Sequence, residues 1–207
     1  MLSLPEEING ENICLLVAKA TPENAKTLFR LVIHNRDKLA PYFRYLVAQI
    51  TNQKRAFDYL NEAEKSQTVP QTIYFIQKDE KKIGILSMAI RMDTAVVGYW
   101  IDKNHMRQGI ITEALRLFER EAFGNGCRSI QLNIAPINTP ALMLAYRSGY
   151  CECPRSSAMQ VIKCFEKTKQ MYDVEQQGLT PHCILSQNDL ENSVHAMRLD
   201  SMHLNRQ

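Results

Sequence analysis

The segment NHMRQGIIT, residues 104–112, joins a polar turn carrying a histidine, an arginine and a glycine to the start of an amphipathic run. Main-chain N–H groups at a helix start lack intrahelical partners and sit at the positive end of the helix dipole. A glycine just ahead of them lets an anion approach without a Cβ in the way. Gly109 holds that position, and Arg107 adds a guanidinium suited to phosphate oxygens. One glycine is a weaker signal than a full phosphate-loop pattern, so the turn alone also fits an ordinary strand-to-helix connection. His105 offers a base within the same turn, although a solvated turn histidine has the same sequence appearance.

Further along, NTPALMLAYRSGY supplies Asn138 or Thr139 as a helix cap, Pro140 near the first helical position, and Tyr146 as a phenol able to donate a proton. Tyr146 also fits an aromatic packed on the core face. Six cysteines, Cys14, Cys127, Cys151, Cys153, Cys164 and Cys183, have no paired C-x-x-C spacing. They read as free thiols, and no metal site is expected from them or from His182.

These residues need elements to position them. NICLLVAKA (12–20) reads as a strand, followed by a helix capped at Thr21, with Pro22 at its first position and Leu28, Leu31 and Val32 at helical spacing. A second helix starts at Thr51, carries Phe57, Leu60 and Ala63 on one face, and ends before Pro70. TIYFIQK (72–78), KIGILSMAI (82–90) and AVVGYWID (95–102) form an antiparallel meander with tight breaks. Residues 110–123 form a helix stopped by GNG, and SIQLNIA (129–135) alternates as a half-buried strand. Strand, helix and strand make a β-α-β unit with parallel strands, so the Gly109 turn lies at the carboxyl end of the first. Beyond Tyr150, residues 158–167 and 182–186 read as strands of a closing hairpin, and 187–207 as a polar tail, either frayed or docking as a helix.

At 207 residues, with 45% hydrophobic and 23% charged side chains, one α/β domain over residues 10–186 is expected. The net charge of +3 is scattered and too mild to argue for nucleic acid, no window is apolar enough to span a membrane, and the amino terminus has no secretory pattern. The cytoplasm is the expected compartment.

Taken together, GYWIDKNHMRQGIITEAL and NTPALMLAYRSGY resemble the Gcn5-related N-acetyltransferase superfamily, over roughly residues 10–150. Within it, the chain is most similar to the bacterial ribosomal-protein branch that modifies an N-terminal serine or alanine. The resemblance implies a mixed, mostly antiparallel sheet with central splayed parallel strands and flanking helices. It implies acetyl-coenzyme A, with its pyrophosphate on the main chain of Arg107, Gln108, Gly109, Ile110, Ile111 and Thr112. The pantetheine arm would lie along the backbone of Trp100 and Ile101, with Asn138 facing it. A primary amine, most simply a protein N-terminus, would attack the thioester directly, with no covalent enzyme intermediate. Alternatives are a small-amine acetyltransferase, or a coenzyme-binding or protein-interaction module with weakened catalysis.

Three positions depart from that pattern. Val97 stands where the ribosomal branch often has glutamate, Ala141 where it often has serine, and Ala145 where the superfamily commonly has the tyrosine that protonates the thiolate. Tyr146, one residue on, is the remaining side-chain candidate. In the turn, Met106 replaces a usual Gln or Arg, and Arg107 a common glycine.

Overall fold

The computed structural model describes residues 4–66, 69–153, 162–178 and 180. The expected strand 182–186 and the tail 187–207 lie outside the described residues. The chain forms two compact units, one running to Gln131 and the other starting at Leu132.

In the first unit, β1 (Glu7–Asn9) and β2 (Cys14–Val17) form a hairpin, and β3 (Gln71–Lys78), β4 (Lys81–Arg91) and β5 (Thr94–Ile101) continue it as an antiparallel sheet. The β3–β4 loop is only Asp79 and Glu80, both with positive φ, as a twisted two-residue hairpin requires. Met92 takes positive φ in the equally short β4–β5 loop. Gly84 allows β4 to approach β5 closely, since a Cβ there would stand 2.5 Å from the Trp100 carbonyl oxygen.

Helix α1 (Pro22–His34) begins where its sequence pattern predicts: the Thr21 hydroxyl accepts from Asn24 N at 3.2 Å, a cap worth about 1 kcal/mol. Asn35 interrupts the helix, and a short α2 (Arg36–Leu39) follows. α3 (Arg44–Gln49) has no clear apolar period and is not evident in the sequence. In α4 (Gln53–Lys65) the cap is Asn52, whose side chain accepts from Arg55 N at 2.9 Å, one residue beyond the expected Thr51.

Leu28 and Val32 of α1, Ala56 and Leu60 of α4, and Ile73, Phe75, Ile85 and Trp100 from the strands form one buried cluster. Each large aliphatic group there contributes about 1.5–3 kcal/mol by leaving water. The alternate residues Tyr74, Ile76 and Leu86 are buried on the opposite face of the sheet. α5 (Ile110–Gly124) packs on β1 and β5, and leads to β6 (Ser129–Ile134). Arg128 N bonds Asp93 O at 2.8 Å and the Thr94 and Ser129 hydroxyls meet at 2.9 Å, so β5 and β6 start side by side and run parallel. The strand order in this unit is therefore β1-β2-β3-β4-β5-β6, and the fold class is the expected mixed α/β.

The second unit holds α6 (Thr139–Arg147), the antiparallel pair β7 (Cys151–Glu152) and β8 (Lys163–Thr168), and α7 (Lys169–Gln176). One expectation fails here. Cys151 is disulfide-bonded rather than a thiol, because folding, not sequence spacing, decides which Cβ atoms come within disulfide reach. Cys14, Cys127, Cys153 and Cys164 are thiols.

Two core phenols carry a pH prediction. Burial first, then Tyr45, pushes Tyr59 up to about 12. Burial and then Glu121 do the same for Tyr74, whose hydroxyl donates to Pro5 O at 2.9 Å. Both groups favour the neutral phenol in the fold, so their contribution is intact below about pH 10 and is lost as pH rises toward 12. Phenolate absorbance should show at least four of the eight tyrosines titrating late, since burial also pushes up Tyr99, and burial followed by Glu152 pushes up Tyr146. Tyr59→Phe and Tyr74→Phe should each remove one late group, and a titration in which all eight ionise near pH 10 would contradict this.

Candidate functional site

β5 ends at Ile101, and Asp102 opens a single 3₁₀ turn (Lys103–His105) that leads through Met106–Gly109 into α5. Two residues in this connection are left-handed, Arg107 at φ 62° and Gly109 at φ 75°. For arginine that conformation costs about 1 kcal/mol. It supplies a physical reason for glycine being common there in proteins this turn resembles.

Gly109 is the N-cap of α5 and makes no side-chain cap. The first α-helical bond is Glu113 N to Gly109 O at 3.0 Å, so the N–H groups of residues 110–112 precede the helix's own bonding. A Cβ on Gly109 would meet nothing within 4 Å, which leaves the approach to those groups open. Arg107 and Gln108 are exposed beside it, whereas Ile110 and Ile111 are buried and anchor the helix start. The residue types and the geometry both suit a phosphate group.

The turn is held from behind by a polar network around Asp102 and Asn35, each almost fully buried. Asn35 Nδ2 donates to Asp102 Oδ2 at 3.0 Å and to Leu31 O at 2.8 Å, while its Oδ1 accepts from Lys103 N at 2.8 Å. Asn104 N donates to Asp102 Oδ1 at 2.8 Å. His105 Nδ1 stands 3.4 Å from Oδ1, and His34 Nε2 stands 3.6 Å from Oδ2. Burial alone would raise the Asp102 carboxyl, but the bonds from Asn35, Asn104 and His105 and the proximity of His34 outweigh it and hold the group below the usual carboxylate range. The break between α1 and α2 thereby fixes the register of a turn 68 residues away in sequence. His105, a candidate base, is committed to this network, and neither Asn35 nor Asp102 stands out in the sequence.

Trp100 directs its indole into the cluster beneath α1 and α4, which leaves only its main chain for a ligand. Ile101 is half-buried. Val97 is buried on β5, opposite Met88.

In the second unit, Asn138 rather than Thr139 caps α6, accepting from Ala141 N at 3.3 Å. Ala145 is fully buried. The Tyr146 hydroxyl donates to Glu152 Oε2 at 2.9 Å, its ring meets Phe165 edge-on at 4.9 Å, and Lys163 Nζ reaches the same carboxylate oxygen at 3.1 Å. Burial, followed by the Glu152 bond and charge, pushes the phenol well above its ordinary value. Among the described residues no cluster of acidic, histidine or cysteine side chains suits a metal ion, and no helix is long and apolar enough to cross a membrane.

A left-handed glycine turn feeding a 15-residue helix, placed after one strand of a parallel pair, defines an α/β protein suited to a phosphorylated ligand. Comparison with known proteins makes this specific. The Acetyltransferase (GNAT) family matches residues 35–150, over half of the sequence, and the chain belongs to that family. A probable N-acetyltransferase, YjcK, of Bacillus subtilis (strain 168) is 32% identical over 103 residues, covering 47% of this chain and 56% of that protein. A ribosomal-protein-serine acetyltransferase of Escherichia coli (strain K12) is 31% identical over 83 residues, covering 38% and 46%. The matches thus span about half the length of these curated relatives. A solved structure of RimL, a ribosomal L7/L12 alpha-N-protein acetyltransferase in complex with coenzyme A, superposes with a TM-score of 0.70 at 18% identity, over 79% of this chain and 98% of that one.

Proposed function

We propose that the chain is an acetyl-CoA-dependent N-acetyltransferase whose acceptor is a primary amine, with a protein N-terminus as the favoured class. The observation that carries the reading is the left-handed turn at Gly109, followed by three amides outside the helix's own bonding, in a chain of the GNAT family. The N-terminus as acceptor rests on the likeness to the ribosomal-protein-serine acetyltransferase and to RimL.

Acetyl-CoA supplies an activated acyl group as a thioester. The chain's part is to hold the pyrophosphate on the main chain of residues 107–112, with Arg107 adding charge. The main chain of Trp100 and Ile101 orders the pantetheine arm. A backbone N–H near Tyr99 or Trp100 stabilises the developing oxyanion, a role that side-chain changes do not remove. The amine nitrogen bonds to the carbonyl carbon, the C–S bond breaks, and the thiolate takes up a proton as the new amide loses one.

Val97, Ala141 and Ala145 supply no group for proton transfer. Proximity and oxyanion stabilisation then carry most of the acceleration, with the contribution of a positioned acid or base, about 10²- to 10⁴-fold, reduced or absent. That departure favours a second reading, a module that binds coenzyme and transfers slowly or not at all.

Mass spectrometry of a peptide and polyamine panel incubated with protein and acetyl-CoA, with thiol release followed in parallel, separates the readings. Acetylated α-amino groups support the proposal. Acetylated polyamines move the acceptor to small amines, binding without transfer supports the module, and the absence of both binding and transfer overturns the coenzyme assignment.

Tyr146→Phe bears on the proton donor. Because the phenol is engaged by Glu152, the substitution should leave kcat within about threefold and lower stability by about 1 kcal/mol through the lost bond. A fall in kcat of about 100-fold with KM unchanged would instead identify the phenol as the acid.

A further inference from the structure

The short β7–β8 hairpin brings two thiols together. Its register pairs Cys151 with Glu166 and Glu152 with Phe165, and the next bond, Cys153 N to Cys164 O at 2.8 Å, sets Cys153 opposite Cys164. The Cys164 thiol donates to the Cys153 sulfur at 3.3 Å. Both residues are partly exposed, so a small reagent reaches them. A disulfide needs sulfurs about 2.05 Å apart, a closure of roughly 1.2 Å that small side-chain rotations supply while the strands stay paired.

The surroundings give this pair a consequence. Glu152 immediately precedes Cys153, and Lys163 immediately precedes Cys164. These two neighbours form an ion pair at 3.1 Å, and the same Glu152 oxygen accepts the Tyr146 hydroxyl. A covalent link between the sulfurs would therefore fix the two strand ends that hold this acid, base and phenol. Cys151, two residues before Cys153, is itself disulfide-bonded, so the same strand already holds sulfur in its oxidised state.

We propose that Cys153 and Cys164 form a reversible dithiol–disulfide site that reacts with low-molecular-weight disulfides. A Cys153 or Cys164 thiolate attacks one sulfur of glutathione disulfide, forming a mixed disulfide and releasing one glutathione thiolate. The opposing thiolate then attacks the protein sulfur of that mixed disulfide and expels the second glutathione. Two protein thiols are oxidised, one glutathione disulfide is reduced to two glutathiones, and the two protons leave with the products. The inference is independent of the proposed acetyl transfer.

The test uses the full chain equilibrated across glutathione buffers from reducing to oxidising. Remaining thiols are blocked with N-ethylmaleimide, the protein is digested without reduction, and cross-linked peptides are sequenced. The expected result is a linkage joining Cys153 in the 148–155 segment to Cys164 in the 164–167 segment. It should rise with the oxidised fraction of the buffer and disappear on dithiothreitol treatment, and the oxidised chain should show a higher Tm. In Cys164→Ser, Cys153 should instead accumulate as the glutathione adduct, because the second displacement has no attacking sulfur. Three results on the native chain overturn the proposal: both residues blocked by N-ethylmaleimide in the most oxidising buffer, a separate glutathione on each, or a Cys151–Cys153 linkage in place of the cross-strand one.

Discussion

Gly109→Val should weaken acetyl-CoA binding by about 10- to 100-fold, with a smaller loss in Gly109→Ala. The native φ of 75° costs an L-residue about 1–2 kcal/mol, and a β-branched side chain tolerates it least. Because 1.4 kcal/mol is a factor of ten, strain alone covers the lower part of that range if the turn relaxes to negative φ and reorients the amides of residues 110–112. A Cβ at Gly109 meets no protein atom within 4 Å, so packing is not the cause. The remaining loss comes from the methyl groups standing where the proposed pyrophosphate would approach.

Gly109→Asn separates the two contributions, since asparagine tolerates left-handed backbone yet still projects a side chain. Binding restored in Gly109→Asn would assign the loss to backbone strain, and binding still weak would assign it to obstruction. Calorimetry on the three variants reads both. Wild-type affinity in Gly109→Val would remove the pyrophosphate from this turn.

Asp102→Ala should destabilise the chain by about 3 kcal/mol and raise the KM for acetyl-CoA by about tenfold, with a smaller change in kcat. The carboxylate is buried and accepts from both the Asn35 side-chain amide and Asn104 N. Its removal leaves the second Asn35 amide hydrogen and the part-buried Asn104 N without this acceptor, at about 1–3 kcal/mol for each that water does not reach. The turn then loses the tie that sets its position relative to α1, while the helix-start amides remain. A binding defect larger than the catalytic one follows, and a kcat loss with KM unchanged would show that the network does not position the coenzyme turn.

The same group fixes a pH dependence. Because the fold holds the Asp102 carboxyl below its ordinary value, its stabilisation is present above about pH 4 and fades as pH falls through the folded-state value. The stability gap between wild type and Asp102→Asn, measured by denaturant titration, should therefore shrink as pH falls from 5 toward 3. A gap that widens between pH 5 and pH 3 would contradict the network.

Much of the frame around these two residues is legible in the sequence because it rests on local rules. Strict alternation at Ile130, Leu132 and Ile134 marks β6, and all three are buried. Thr21 with Pro22, Asn138 with Pro140, and Gly109 ahead of Ile110 mark helix starts by the chemistry of unpaired amides, and each start falls there. The strand, helix and strand order around α5 determines the parallel β5–β6 pair, since crossovers of this kind constrain direction.

What resisted reading depends on partners distant in sequence. The break of α1 at Asn35 follows no propensity rule; it is stabilised by a carboxylate 67 residues away that is itself inconspicuous beside Lys103 and Asn104. Tyr146 reads equally as acid or packing group until Glu152 and Phe165 are seen around it. Arg107 and Cys153 show the same division: sequence supplies a guanidinium and a thiol, but only folding sets one at positive φ and the other 3.3 Å from Cys164. The sequence by itself determined the family pattern, the order β3-β4-β5-α5-β6-α6 and the turn at Gly109, because periodicity, capping and backbone freedom act over a few residues. Tertiary structure alone decided which polar groups are buried together and which sulfurs meet, because those depend on Cβ distances that chain separation does not encode.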